Sequence, residues 1–287
     1  MSARVADAPV ENYMSSPVIA VKPDDTVAHA RRLMLRHRIG RLVVVDDDER
    51  PVGVLTKADL ARLASTELAR RSLEHVPVEE VMTPNPVTVR VDESVRVAAQ
   101  RMLEKGVSGL PVVDESGRVV GIVTKTDLTR VRAEGPLGVH SVGSYMYGDP
   151  PTVSPQHSVS YVLELLESHP SRRVLVVDAG SLVGIVAPSD IAFLEALGLA
   201  ATPRSDKRAR RFAELPKGKV GPVYTYFILT AGDVMTPEPV TVKPDEDVAA
   251  AARLMLRMGV SSLPVLMDGE VLGILTKHGV LKSLLDL

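Results

Sequence analysis

The chain has 287 residues, 45% hydrophobic and 24% charged, with 34 basic against 36 acidic side chains and a net charge of −2. That near-neutrality excludes a globally basic nucleic-acid binder. The absence of cysteine excludes disulfides, thiolate catalysis and the usual zinc-finger or iron–sulfur sites. Tryptophan is absent too, aromatic residues make up only 3%, and no apolar run approaches the ~18–20 residues of a membrane span. Met1 to Asn12 carries no positive-then-apolar signal pattern. The composition predicts a soluble, cytoplasmic, aliphatic α/β protein of roughly two domains at about 150 residues each.

In chain order, one pattern recurs four times. It opens as Tyr13-Met14, Val81-Met82, Tyr145-Met146 and Val234-Met235, and it closes on Gly53, Gly121, Gly184 and Gly273. The opening methionine and the late glycine are 39 residues apart in the first two copies and 38 in the last two, so the unit is fixed and its connections vary. The second copy shows the grammar. Pro86 and Val87-Thr88-Val89 predict a short strand. Val95, Ala98, Ala99, Met102 and Leu103 then form one apolar helix stripe, started by Asp92, Glu93 or Ser94 and stopped by Gly106. Leu110–Val113 and Val119–Val123 flank the turn Glu115-Ser116-Gly117, a hairpin signal, and a second helix begins near Thr124 and runs through Leu128. Each unit is therefore β-α-β-β-α, at residues 13–64, 81–131, 145–195 and 234–285. A module of about 50 residues buries too little apolar surface to stand alone, so units are expected to pair. The connections are a helical-looking Ala64–Glu80, a Gly- and Pro-rich Arg132–Ser144, and a long basic linker at 196–233.

Each unit ends in one motif: Gly53-Val-Leu-Thr56-Lys-Ala-Asp59, Gly121-Ile-Val-Thr124-Lys-Thr-Asp127, Gly184-Ile-Val-Ala187-Pro-Ser-Asp190 and Gly273-Ile-Leu-Thr276-Lys-His-Gly279. A Thr followed three residues later by Asp at a helix start is a capping-box pattern. Thr56/Asp59 and Thr124/Asp127 therefore have a purely structural reading. The third unit argues for a second role, because it lacks the Thr (Ala187), begins on Pro188 and keeps Asp190. A carboxylate can accept bonds from both ribose hydroxyls, and charge-assisted hydrogen bonds are the stronger class. A Thr hydroxyl and the free N–H groups of a helix start suit phosphate.

With strand, helix, hairpin, helix and this ending repeated four times, the units resemble cystathionine-β-synthase (CBS) domains, and two in tandem resemble a Bateman module. The resemblance covers nearly the whole chain. It implies a regulatory sensor of adenosyl ligands rather than a catalyst, built of mixed α/β (α+β) units paired into two modules. Two modules can close into one disk, as a monomer, or the chain can form a homodimer. By this resemblance Asp59, Asp127 and Asp190 are the ribose-binding acids, and Thr56, Thr124, Thr126, Ser189 and Thr276 are hydroxyl partners of ribose or phosphate. The segments Ile39-Gly40-Arg41, Val107-Ser108-Gly109, Ser171-Arg172-Arg173 and Val260-Ser261-Ser262 line the adenine pocket, with Arg41 and Arg173 turned to phosphate. The implied ligand is AMP, ADP or ATP, with S-adenosylmethionine or NADH as alternatives, and the output passes to a protein partner.

Two other readings remain beside it. One is a nucleic-acid-binding regulator that uses the run Lys207-Arg208-Ala209-Arg210-Arg211, opposed by the neutral charge and scarce aromatics. The other is a structural adaptor with empty clefts. No HExxH, GxxxxGK[ST], GxGxxG or GxSxG pattern occurs, so neither an enzyme nor a metal site is expected. Of the seven histidines, His37 and His278 fall near the expected clefts. Met14, Met82, Met146 and Met235 read as packing residues. The first pair is expected to hold the most complete site, because the second unit alone combines Thr124, Thr126 and Asp127. The second pair is expected to be lopsided, because Gly279 replaces the acid.

Overall fold

The computed structural model describes residues 5–63, 72–191, 210–215, 219–224 and 229–287. The first two repeats have the expected order in full; the third follows it up to residue 191, and in the fourth the first strand is reduced to a single bridge from Val242 to Val265. In the second, β5 (Val89–Arg90) leads to α3 (Val95–Glu104), then β6 (Gly109–Val113), β7 (Val119–Thr124) and α4 (Lys125–Glu134). Ser94 is the residue that starts α3, its Oγ accepting from the Val97 N–H, and Gly106 takes the left-handed conformation that ends it (φ 64°). Thr26, Ser158 and Asp247 cap the matching helices α1 (Val27–Arg36), α5 (Val159–Ser168) and α7 (Val248–Met258). The hairpin strands pair antiparallel, while the short first strand joins them in parallel. α1 and α3 are amphipathic and bury Val27, Ala30 and Met34, and Val95, Ala98, Ala99 and Met102.

The repeats exchange their lead-in segments. A short turn precedes each repeat, at Val10–Asn12, Val78–Glu80, Val142–Ser144 and Ala231–Val234. Its first residue is buried in the core of the neighbouring repeat, not its own. Val10 packs in the second repeat, Val78 in the first, Val142 in the fourth and Ala231 in the third. Just before each turn, a carbonyl of Ala8, Val76, His140 or Leu229 accepts the N–H of Val95, Val27, Val248 or Val159, at 2.8, 2.8, 2.9 and 2.9 Å. Those are the first residues of the neighbouring amphipathic helices, whose N–H groups otherwise lack a partner. Four residues after each turn begins, the opening methionine is hydrogen-bonded back to it. The methionine Sδ then lies over the late glycine of the neighbouring repeat: Met14 over Gly121, Met82 over Gly53, Met146 over Gly273 and Met235 over Gly184. A Cβ on any of these glycines would fall within 3 Å of that sulfur. The methionines are packing residues as expected, and the two ends of each fixed methionine-to-glycine interval belong to two reciprocal contacts with the paired repeat.

The described residues form two compact units, Met1–Pro150 with Val240–Leu287, and Pro151–Pro239. In the larger unit, the second repeat packs on the fourth. Leu281 and Leu284 of the last helix, α8 (Lys277–Leu285), enter the second repeat's core beside Leu128 and Val131. Arg132 is fully buried there, donating from Nε to Ser283 Oγ at 3.1 Å and from Nη1 to the Pro136 carbonyl at 3.2 Å. Arg253 Nε donates to the Ala133 carbonyl at 2.7 Å. In the smaller unit, β9 (Thr152–Val153), β10 (Val174–Asp178), β11 (Ser181–Val186) and β14 (Thr236–Pro237) make one sheet covered by α5.

Three expectations change. The connection after the second repeat begins later than Arg132, because α4 continues to Glu134 with Val131, Arg132 and Ala133 buried. Within Ala64–Glu80, residues 64–71 lie outside the described residues, and the remainder holds two short 3-10 turns, Leu73–His75 and Val78–Glu80, rather than a helix. The long linker contains an antiparallel hairpin, β12 (Arg210–Leu215) with β13 (Lys219–Tyr224).

A direct test is available in the methionine contacts. Gly121→Val should destabilise the protein by about 1–3 kcal/mol through overpacking, read as a lower urea midpoint. Adding Met14→Ala should recover part of that loss, because the added side chain and the removed sulfur contend for one space. A purely additive double variant would mean that the two residues do not share it.

Candidate functional site

The four motifs sit at a strand-to-helix junction in every repeat. The segment before the hairpin is tied to that junction. The carbonyls of Gly40, Ser108 and Ser261 accept the N–H of Lys57, Lys125 and Lys277 at 3.0, 3.1 and 3.1 Å. The third repeat has Pro188 at this position, with no N–H to give. Both halves of the expected site are thus brought together by backbone bonds.

The aspartates do cap. Asp127 Oδ2 accepts from the Thr124 N–H at 2.8 Å and the Thr124 hydroxyl at 2.7 Å. Asp59 does the same with Thr56, at 2.8 and 2.6 Å. Asp190 Oδ2 still accepts from the Ala187 N–H at 2.7 Å. Loss of the Thr therefore leaves the carboxylate's capping bond intact, so the retention of Asp190 is accounted for by capping without calling for a second role. In each case capping uses one carboxylate oxygen. Among the described residues, Oδ1 of Asp127 meets only the exposed Arg130 guanidinium, at 3.3 Å; Asp59 Oδ1 meets Arg62; Ser189 donates to Asp190 Oδ1 at 3.3 Å. Asp59 and Asp127 are buried, whereas Thr126 and Ser189 are exposed.

Arg41 links the two repeats of the first pair. It leaves β2 (Arg41–Val45) of the first repeat and enters the second, where Nη2 donates to Ser108 Oγ at 3.0 Å. Its guanidinium fills the space that a side chain on Gly109 would need. Burial pushes its pKa down and the Asp127 charge opposes that shift. Lys125 is pushed down by burial and then by Arg41. The Asp127 cleft therefore collects two half-buried cations, Arg41 from one repeat and Lys125 from the other. In the third repeat, Arg173 is likewise lowered by burial and held up by Asp190. Ile39, Val107 and Val260 are half-buried against the cores of their own repeats, and Ser261 is exposed.

In the fourth repeat, the Thr276 hydroxyl is buried and has no hydrogen-bond partner. The carboxylate that its counterparts bond is missing, and a Cβ on Gly279 would strike the Tyr145 carbonyl. Lys277 instead reaches across to the second repeat, donating from Nζ to Thr126 Oγ1 at 2.9 Å. His278 is lowered to about 4, by burial first and then by Lys125 and Lys282. The sequence reading singled out neither Lys125 nor Lys277, although the recurrent Thr-Lys pair at 56–57, 124–125 and 276–277 was a signal for both. His37 is exposed and acts as the C-cap residue of α1. Among the described residues, no group of three or more metal-ligating side chains gathers, and no helix is long and apolar enough to cross a membrane.

A model of the CBS domain matches residues 10–66, 78–134, 142–196 and 231–286. The chain belongs to the CBS-domain family. Each match begins at the first residue of a lead-in turn or within it, three residues before the boundaries read from the sequence. The chain is 24% identical to the uncharacterized protein MJ1225 of Methanocaldococcus jannaschii over 92% of its own length and 94% of that protein's. The crystal structure of MJ1225, proposed as an archaeal homologue of the γ subunit of AMP-activated kinase, has a TM-score of 0.73 at 21% identity, over 96% of this chain and 99% of that one. An uncharacterized conserved protein from Pyrococcus horikoshii has a TM-score of 0.66 at 20% identity, over 96% and 99%. These two share the fold of this CBS protein. The L-aspartate semialdehyde sulfurtransferase of M. jannaschii is 35% identical over 122 residues, which are 42% of this chain and 23% of that enzyme. The chain thus matches about a quarter of the enzyme's length.

The electrostatics of His278 give a measurable pH dependence. Its folded pKa of about 4 lies below the ordinary 6.5. The unfolded chain therefore takes up the proton first as pH falls, and stability is lost between pH 6.5 and 4. The urea midpoint should fall less steeply over that range in His278→Gln than in the natural chain. Parallel slopes would place His278 in an ordinary environment.

Proposed function

We propose that this CBS protein is a non-catalytic regulatory protein that binds an adenine nucleotide in the Asp127 cleft of its first repeat pair and signals the occupancy to a protein partner. The observation that carries the reading is the gathering of Asp127, the Thr126 hydroxyl, Ser108 and the cations Arg41 and Lys125 at one cleft fed by two repeats. Asp127 keeps Oδ1 on the side away from the cap bonds, where a ribose diol would replace the weak contact with Arg130. Family membership supports the adenosyl half of the ligand. The cations support the anionic half: AMP, ADP or ATP neutralises Arg41 and Lys125, whereas the sulfonium and ammonium groups of S-adenosylmethionine would be repelled. The fourth repeat offers no equivalent acid, so the second pair takes at most one such ligand, at Asp190.

Calorimetry with AMP tests this. Asp127→Ala should weaken binding at least tenfold, equivalent to ~1.4 kcal/mol. Unchanged affinity with a lowered melting point would leave Asp127 as a helix cap alone. In a thermal-shift panel, a nucleotide at about 100 times its dissociation constant contributes roughly 2.7 kcal/mol. At ~2–4 °C per kcal/mol that is a rise of about 5–10 °C, with none from S-adenosylmethionine. No rise with any adenosyl compound would favour an adaptor with empty clefts.

A further inference from the structure

The basic run read from the sequence meets described structure at β12. Arg210 and Arg211 open that strand, while Lys207 and Arg208 lie outside the described residues. Composition sets this stretch apart. From Arg204 to Phe227 there are seven basic residues against two acidic ones, leaving 27 against 34 in the rest of the chain. Four of the nine phenylalanines and tyrosines fall in the same 24 residues. The neutral charge and scarce aromatics of the whole chain are averages that do not hold within this stretch.

β12 and β13 pair residue for residue, from Arg210 with Tyr224 to Leu215 with Lys219, and among the described residues no third strand joins them. A two-stranded sheet is marginal in water with nothing packed against it. Alternate residues of a strand share a face, and so do directly paired residues of neighbouring strands. The register therefore puts Arg210, Phe212 and Tyr224 on one face with Glu214, Val220 and Pro222. Arg210 stands opposite Tyr224, and Phe212 is diagonal to it. The other face carries Arg211 and Lys219 among Ala213, Leu215, Gly221 and Val223. Two rings on one face and cations on both meet two needs of an unpaired polynucleotide: flat surfaces for its bases and positive charge along its backbone. A lipid surface fits less well, because an element lying on a membrane segregates its cations from its apolar face. A duplex groove also fits less well, since neither strand carries Asn, Gln, Ser or Thr to read base edges.

We propose that the β12–β13 ribbon binds single-stranded nucleic acid, with bases stacked on the face that holds Phe212 and Tyr224 and phosphates neutralised by Arg210, Arg211 and Lys219. A strand of six residues is about 20 Å long, enough for a few nucleotides. The ribbon shares no residue with the Asp127 cleft, so this site goes beyond the nucleotide reading and stands or falls apart from it.

Fluorescence anisotropy of the full chain with a labelled oligouridylate of about ten nucleotides tests the site. Affinity should fall as salt rises, with a log–log slope of about −0.7 for each phosphate neutralised. Phe212→Leu should weaken binding at least about fivefold, the lower end of what one stacked base contributes, at an unchanged salt slope, and Phe212→Tyr should restore it. The double variant Arg211→Gln, Lys219→Gln should flatten the slope by about 1.4. Lys243→Gln, an exposed lysine of the fourth repeat, should leave affinity and slope unchanged. The chain has three phenylalanines, so ring-labelled NMR of the natural chain should show the Phe212 signal moving upfield on addition of the oligonucleotide, a readout that needs no variant to fold. Oligodeoxyuridylate separates the sources: equal affinity assigns single strands of either sugar, and weaker binding assigns RNA. No binding of oligouridylate, equal affinity for a duplex of the same length, an unchanged affinity in Phe212→Leu, or tighter binding to phosphatidylserine vesicles would overturn the proposal.

Discussion

The structure depends on one exchange: every repeat sends its first residues into its neighbour. A CBS unit alone leaves the first N–H of its amphipathic helix without a partner, a hole in its core and a bare glycine on its sheet. The neighbour supplies all three within seven residues, as a carbonyl, a Val or Ala, and a Met. Because the donation is reciprocal, neither member of a pair can separate without unsatisfying both. This explains why a module of about 50 residues can be stable at all.

The exchange also sets where chemistry is possible. With the lead-in fixed, the hairpin strands of paired repeats lie close enough for Arg41 to cross into the second repeat and fill the space beside Gly109. Capping of the α4 start draws on one oxygen of the Asp127 carboxylate. Oδ2 of Asp127 holds the helix start, while Oδ1 accepts from Arg130.

The contact between the second and fourth repeats carries a different kind of physics. Its apolar part, Leu281 and Leu284 among Leu128 and Val131, resembles a domain core. Its polar part is under tension. Arg132 is fully buried with Nη2 unpartnered, and burial lowers its pKa against the opposing charge of Asp247. Tyr145, bonded to Asp286 at 2.6 Å, is pushed up to about 12, chiefly by burial. Cations at the helix starts add mutual repulsion. Hydrophobic burial holds these groups together.

The sequence by itself determined the repeat, its β-α-β-β-α order, the helix stripes and the four junction motifs, because each rests on local spacing or on the chemistry of neighbouring residues. Ser94, Gly106 and the Thr124–Asp127 box act where their types and intervals placed them. The fixed methionine-to-glycine interval was visible as well, yet its meaning was not, since a period records that two positions matter without recording that they meet in different repeats. The tertiary structure decided what depends on two distant segments sharing one space: Arg41 crossing to Ser108, Lys277 reaching Thr126, the burial of Arg132 in what read as a linker, and the orphaned hydroxyl of Thr276. Those contacts are fixed by which cores can be closed only together, and no single stretch of chain carries that information.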